Sequence, residues 1–363
     1  MTDKRYSREN LLLNFTLSSS YLNTLLHLPV LGKTLLTILP AVIYGCSDPM
    51  LKETDGLIHE RTRTACIRPQ IKTEGHSQFK HLDIFTFNDD ALQRLESYQR
   101  VENSDELIAK IALLKGEKVI FSCANSQRNS YSWNDICSRA AIEDIHADLE
   151  KENPEALLMS GEIHTSTESS LSMDLPLTPL ASRITLSSLR FDFSARPYRN
   201  AKISGIKAYL TNVNAEYPIS GVTSMPLRIV NAGRLNQDDL NKFDRKENIF
   251  TYIADTASEA ELHPGTTFLA YPNTCKEESP GNPFTRLVIE ADIGSDKYYW
   301  PINVNRNTYG EGKGVERNCQ YIYDILITRK GTDNPDIPMD VEGIEINMEI
   351  RRWTDKEEYG VSF

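Results

Sequence analysis

The chain has 363 residues, with 40 Lys and Arg against 51 Asp and Glu, a formal charge of −11. At roughly 150 residues per domain this length predicts two to three domains, and 40% hydrophobic with 25% charged residues excludes wholesale disorder. The acidity has no local Arg/Lys run to offset it, which argues against nucleic acid as a partner. Beyond residue 45 no apolar run approaches the ~20 residues of a spanning helix.

Residues 1–45 read as a signal or leader segment. From Leu11 to Gly45 only Lys33 carries a formal charge. Residues 11–32 are broken by Asn14, Asn23, three serines and Pro29, so they make a poor spanning helix. Lys33 followed by TLLTILPAVIYG is a positive residue, a short apolar run and a small residue before Cys46. This order resembles a bacterial lipoprotein signal, with Ile43-Tyr44-Gly45-Cys46 as the lipobox; Tyr44 is bulkier than the usual residue there. A peptidase needs the small residue before the cysteine, and the thiol of Cys46 would carry the lipid. A membrane anchor or a buried apolar strand is the rival reading. The stretch ahead of Lys33 is longer than such a signal needs, so translation is expected to begin near Leu31.

Lipidation implies export to a compartment that permits disulfides. Cys66, Cys123, Cys137, Cys275 and Cys319 then remain, an odd number, so at least one is free in a monomer. Cys123 and Cys137 could pair, but no spacing rule decides it. No CxxC pair marks a zinc site.

Residues 46–75 read as a lipidated tether that runs into a loose or strand-like stretch. SDPMLKETDG after Cys46 is polar, and the loose or strand-like stretch from Gly56 to Glu74 holds Arg61, Arg63, Arg68 and Lys72. Strand signals begin with HLDIFTF, ended by Asn88-Asp89-Asp90, and continue at Val119-Ile120-Phe121. Ile136, Ala140, Ile142, Ile145 and Leu149 recur at helical spacing, which predicts a single helix over 135–150. Residues 160–180 are rich in Ser, Thr and Pro, so a boundary is expected there, with one domain over 76–175 and a second over 176–363. Beyond it strands dominate: Arg183 to Phe193, Lys202 to Leu210, Phe268 to Tyr271, then Leu287, Ile289 and Ala291 on one face, and Tyr321, Tyr323, Ile325 and Ile327 on one face. Many short strands separated by turn residues predict two β-sandwiches.

In the tail, Ile344, Ile346, Met348 and Ile350 alternate with polar residues, giving one fully apolar strand face. Trp353 follows, then TDKEE, and Tyr359, Val361 and Phe363 alternate again. The segment 344–363 reads either as the last strand of its own sandwich with a frayed end, or as a strand donated to a neighbouring molecule.

No catalytic constellation emerges. Gly310-Glu311-Gly312-Lys313-Gly314 lacks the Ser or Thr that a phosphate loop places after its lysine and reads as a surface hairpin loop. No G-x-S-x-G or H-E-x-x-H occurs, and the seven histidines are scattered, with His76 and His81 nearest in sequence. No enzyme activity, metal or cofactor is expected. The consecutive Tyr298, Tyr299 and Trp300 could offer an exposed aromatic platform to glycans, or pack in the core and at an edge.

VERNCQYIYDILITRKGTDNP at 315–335 resembles the fimbrillins, the FimA-type pilus subunits of Bacteroidales, which show an Arg-Asn pair before a tyrosine-bearing strand, a glycine turn and Asn-Pro. INMEIRRW at 346–353, YYWPINVN at 298–305, AYPN at 270–273, LLMSGE at 157–162, ASRITLSSL at 181–189 and HLDIFTFN at 81–88 are similar to that family in the same order. The likeness covers roughly residues 79–363. Arg329-Lys330 stands where the family has a Gly-Pro turn.

The resemblance implies a mostly β chain of two transthyretin-like β-sandwich domains, here with one short helical segment in the first. It implies export as a palmitate-bearing lipoprotein lipidated on Cys46, residence at the cell outer membrane and in the extracellular fimbrium, and other fimbrial subunits as partners. It implies a trypsin-like cut after an arginine that removes the first strand, at Arg61, Arg63 or Arg68, Arg68-Pro69 being a poor bond for such a protease. The emptied groove would take the tail of the next subunit, with Ile344, Ile346, Met348, Ile350, Trp353, Tyr359, Val361 and Phe363 as donor residues. Adhesion to a host or bacterial surface ligand completes the expectation. A glycan-binding, non-enzymatic surface lipoprotein is the alternative.

Overall fold

The computed structural model describes residues 62–71, 80–102, 109–126, 133–168, 172–221, 225–257, 261–307, 309–339, 344–352 and 358–362. Cys46, Arg61, His76, Trp353 and Phe363, with the leader and the tether, lie outside these residues. Strands β1 (Thr62–Ile71), β2 (His81–Asn88), β3 (Leu95–Glu102), β4 (Ala109–Leu114) and β5 (Glu117–Ala124) come first. The 3-10 turns Trp133–Asp135, Arg139–Ile142 and Leu149–Lys151 flank the short β6 (His146–Asp148), and β7 (Met159–Ser166) and β8 (Ser172–Pro179) follow. Next come β9 (Ser182–Phe191), β10 (Ile203–Thr211), β11 (Val213–Asn214), β12 (Glu216–Pro218) and β13 (Ile229–Val230). The one-turn helix α1 (Gln237–Leu240) and a 3-10 turn at Lys246–Asn248 precede β14 (Phe250–Ala257) and β15 (Thr266–Ala270). β16 (Arg286–Ile293), β17 (Asp296–Asn303), β18 (Cys319–Ile327), β19 (Ile344–Arg352) and β20 (Glu358–Ser362) complete a mostly β chain, as the sequence predicts.

Seven strands form one sheet in the order β3-β2-β5-β7-β8-β1-β4. Its two edges approach each other: the Leu114 amide on β4 donates to Glu96 on β3 at 2.7 Å. The sheet folds over an interior of Ala65, Ile67, Ile84, Ile111, Leu175 and their neighbours. β7 meets β8 only at Met159↔Pro179 and Ser160↔Thr178. Gly161 follows at that crossing, where a Cβ would stand 1.8 Å from the Pro176 carbonyl oxygen, so only glycine permits the approach.

The second group packs a five-stranded sheet, β15-β9-β18-β19-β20, and a four-stranded sheet, β14-β10-β16-β17, around one larger core. On β18, Tyr321, Tyr323, Ile325 and Ile327 are buried, which is the single apolar face the alternation predicts. The core does not stop at this sandwich. Phe85, Phe87, Val119 and Phe121 belong to it, while Leu82, Ile84 and Ile120 on the opposite faces of the same strands belong to the first interior. β2 and β5 are therefore buried on both faces, and their sequences read as continuous apolar runs.

The helix expected over 135–150 is not formed. Backbone pairing to other segments claims its groups instead. The Leu95 amide donates to the Cys137 carbonyl, the Arg139 amide to Gln93, and β6 pairs with β12. Ile142, Ala147 and Leu149 still reach the core, so the apolar spacing marked burial but came from turns and a short strand. None of the five described cysteines is in a disulfide; Cys123 is buried, and burial pushes its thiol well above the ordinary range.

Candidate functional site

Two strands bear on the expectation of strand exchange: the first and the last. β1 lies inside the seven-stranded sheet, parallel to β8 and antiparallel to β4. Ala65, Ile67 and Pro69 point into the interior and are buried, while Thr64, Arg68 and Gln70 are exposed on the other face. Ala65 and Ile67 sit among Met173, Leu175 and Leu177 of β8 and Ala109, Ile111 and Leu113 of β4. Pairing with β4 ends at Ile67, so Pro69, which has no N–H to donate, falls where β1 has a sheet neighbour on one side only. Arg63 is the second residue of β1 and donates from Nη1 to the Thr167 carbonyl at 2.9 Å. Arg68 is the seventh residue and pairs in register with Asp174. Arg61 precedes the strand.

The tail forms a hairpin on β18. β19 runs antiparallel to it over nine paired residues, from Cys319↔Arg352 to Ile327↔Ile344. Met348 is fully buried opposite Tyr323, and Ile346 and Ile350 are half-buried against the same core. β20 pairs with the outer side of β19, with Tyr359 opposite Ile350 and Val361 opposite Met348. The side chains of Ile344, Tyr359 and Val361 lie outside the described residues. Among the described residues, the last two strands are hydrogen-bonded to the rest of the sheet through β18 alone.

Between the two sandwiches stands a clamp that motif reasoning did not single out. Arg317, partly buried, donates to the carbonyls of Thr178, Pro179 and Ser160 and to the Ser160 hydroxyl at 2.6–3.1 Å. No carboxylate is among these acceptors, and burial holds its guanidinium down at about 10. Gly221 makes room for it: a Cβ there would stand 1.9 Å from Nη1. Nearby, the buried Glu152 accepts the Leu158 amide at 2.6 Å and the Tyr271 hydroxyl at 2.8 Å. Burial raises its carboxyl to about 7, although both hydrogen bonds favour the charged form. The only sequence trace of this clamp is the Arg317-Asn318 pair and the LLMSGE segment that contains Ser160.

One cluster has the residue types of a nucleophilic site. His81 Nε2 lies 3.2 Å from the Ser126 hydroxyl and 2.7 Å from the Ser126 carbonyl. The Ser126 hydroxyl, however, donates to Asp83, which also accepts from Tyr98 at 2.7 Å and Arg100 at 3.3 Å. The serine proton is thus committed to a carboxylate rather than offered to the imidazole, and Ser126 is 2% exposed. The arrangement ties β2, β3 and the end of β5 together; it lacks the base–orienter order of a triad. Tyr98 is exposed at its rim, and desolvation of its hydroxyl together with the bond to Asp83 pushes it up to about 12.

Trp300 is fully buried, and its Nε1 donates to the Arg329 carbonyl at 2.9 Å. Tyr298 and Tyr299 are half-buried, and Tyr298 is engaged by Lys330, whose ammonium stands 3.0 Å from its hydroxyl. The aromatic platform on which the glycan alternative rests therefore has no exposed tryptophan. The glycine-rich loop at 310–314 wraps Arg306, which donates to the carbonyls of Gly310, Gly312 and Cys275.

No protein-family model matches the chain, and no curated protein matches it. Solved structures share its fold. A protein described as a candidate cell adhesion protein of Bacteroides eggerthii superposes with a TM-score of 0.59 at 14% identity, over 80% of this chain and 96% of that one. A fimbrilin (FimA) of Porphyromonas gingivalis gives 0.55 at 15%, over 80% and 97%. A candidate cell adhesion protein of Parabacteroides distasonis gives 0.54 at 13%, over 80% and 100%. The fold is thus one that a fimbrilin also adopts.

Proposed function

We propose that this chain is a non-enzymatic structural and adhesive subunit of a bacterial surface fimbria. It is exported as a lipoprotein acylated on Cys46 and displayed at the outer membrane and in the extracellular fimbrium. Its partners are other fimbrial subunits, and its exposed surface meets a ligand on a host or bacterial cell. One observation carries the reading: a chain with the fold of a fimbrial subunit has an alternating apolar hairpin that, among the described residues, is hydrogen-bonded to its sheet through β18 alone.

The chemistry of assembly is strand exchange. A tail that leaves β18 carries a full ladder of main-chain donors and acceptors to any strand-wide gap in a neighbour. Ile344, Ile346, Met348 and Ile350 then fill that gap. At ~1.5–3 kcal/mol for each buried apolar side chain, four contribute roughly 6–12 kcal/mol before ordering costs. Trp353, Tyr359, Val361 and Phe363 extend the contact. Such a head-to-tail joint does not close on itself, so it propagates as a filament.

The test is to delete residues 344–363 and follow the chain in sheared surface filaments. The truncated chain should be absent from them, and an excess of synthetic 344–363 peptide should block uptake of the intact chain. Truncated chain found in filaments at the intact level, with no competition by the peptide, would sink the proposal.

A further inference from the structure

We infer that an arginine-directed cut leaves β1 in its slot, so that this chain gives a strand to a neighbour but accepts none into its first sandwich. The inference rests on the assembly reading above and specifies the chain's place in it.

To free β1 as a unit, the backbone must be cut between Ile71, where β1 ends, and His81, where β2 begins. No arginine occurs from Pro69 to Gln93. Of the three candidate arginines, Arg61 precedes β1, and Arg63 and Arg68 lie within it. A cut after Arg61 removes the tether and its lipid and leaves all ten residues of β1 in place.

The two internal bonds are poor targets in the folded chain. A trypsin-like protease needs several residues of extended, unpaired backbone around the scissile bond, so it acts on locally opened states. Arg63 and Thr64 are both paired to β4, opposite Leu113 and Ala112. Arg68 and Pro69 are both paired to β8, opposite Asp174 and Leu175, and the proline follows the scissile bond directly. Opening either stretch exposes Ala65 and Ile67, which are 1% and 0% exposed.

A nick at Arg68 also fails to empty the slot. Pro69, Gln70 and Ile71 remain joined to β2 and stay paired with Leu175, Pro176 and Leu177. The released piece ending at Arg68 keeps its pairing with β4 from Thr62 to Ile67 and its two buried apolar side chains. An incoming strand would have to displace both parts at once. A run of subunits grows only where each member both gives and accepts. A member that only gives ends the run on one side, and its partner is a different subunit that presents an empty, apolar, strand-wide groove.

The experiment uses the full chain in detergent, the parent and a Ser77→Arg variant that supplies an arginine between β1 and β2. Each is treated while folded with an arginine-specific protease. Gel filtration and mass spectrometry then show whether residues 62–68 stay with the body, and a labelled 344–363 peptide reports groove opening. The parent should retain residues 62–68 and take up no peptide above background. In the variant β1 is freed as one piece, so an excess of the peptide should displace it and take its place. Loss of residues 62–68 from the treated parent overturns the inference, whatever the peptide does. If the cut variant takes up no peptide, strand exchange through this groove fails, while retention of β1 in the parent stands on its own mass measurement.

Discussion

A guanidinium partly buried with no carboxylate beside it is held by geometry alone, and Arg317 is such a group. It spans Ser160 on β7 and Thr178 and Pro179 on β8 from a position just ahead of β18. Replacing it with Ala would leave three carbonyls without this donor in a largely buried junction, and each orphaned group there costs on the order of 1 kcal/mol. We expect Arg317→Ala to lower stability by about 3 kcal/mol, and Arg317→Lys to recover little, since an ammonium cannot reach all the acceptors of the planar fork. The shift of the urea midpoint at constant slope checks both. Gly221→Ala should act through the same clamp: φ is +79° and the added Cβ would collide with Nη1, so a drop in thermal midpoint similar to that of Arg317→Ala is expected. Glu152 makes a prediction of opposite character. Its folded carboxyl titrates at about 7, above its ordinary 4.5, so the folded state binds the proton more tightly than the unfolded one. Its contribution to stability is complete below pH ~4.5 and is lost as pH rises through ~7, a difference of about 3 kcal/mol. The Glu152→Gln variant should lack this fall. Parallel denaturation curves of the two proteins between pH 5 and pH 8 give the comparison, and equal pH slopes would refute it. In the sequence Arg317 showed only as half of an Arg-Asn pair, and Glu152 not at all, because a carboxylate's burial is decided by partners 119 residues away, such as Tyr271.

At the scale of single elements, legibility followed the number of buried faces and the source of each periodicity. β18 alternates strictly, because one face meets the core and the other does not, and its apolar set was readable. β1 was obscured by Arg63, Arg68 and Pro69, which occupy exposed or singly paired positions, leaving Ala65 and Ile67 as a faint inward pattern. Of the three arginines offered as cutting sites, Arg63 and Arg68 are therefore strand residues. The segment 135–150 failed for the reverse reason: a helical spacing arose by coincidence from two 3-10 turns and the short β6. For the tail, the sequence established the apolar face and left its owner open, since β18 and a neighbour's groove ask for the same alternation. Met348 provides a handle on that choice. It is fully buried against Tyr323 in the home position. Met348→Ala should thus cost the isolated chain about 2–4 kcal/mol through a cavity in the second sandwich. A change near zero in the urea midpoint would mean that β19 does not rest on β18 in solution.

The whole molecule couples its two sandwiches more closely than the sequence indicated. A composition shift near 160–180 suggested a boundary, and the chain does cross there from β8 to β9 at Leu180 and Ala181. Both residues are fully buried in the larger core, where a flexible linker would be exposed. That core continues onto the outer faces of β2 and β5 through Phe85, Phe87, Val119 and Phe121. The Arg317 clamp and the bond from Tyr271 to Glu152 join the same two bodies. If the second sandwich melted first, the four residues on β2 and β5 would be stranded in water, at ~1.5–3 kcal/mol for each large apolar side chain. The first sandwich could not bear that loss, because its own interior is the smaller of the two clusters. Thermal unfolding should accordingly be a single calorimetric transition whose van't Hoff and calorimetric enthalpies agree. A fragment ending at Leu180 should expose those phenylalanines and aggregate or bind a hydrophobic dye. Two resolved transitions, or a soluble and cooperatively folded 1–180 fragment, would mean that the sandwiches are independent. The chain would then flex at its own middle, whereas the shared core holds the two sandwiches as one stiff body.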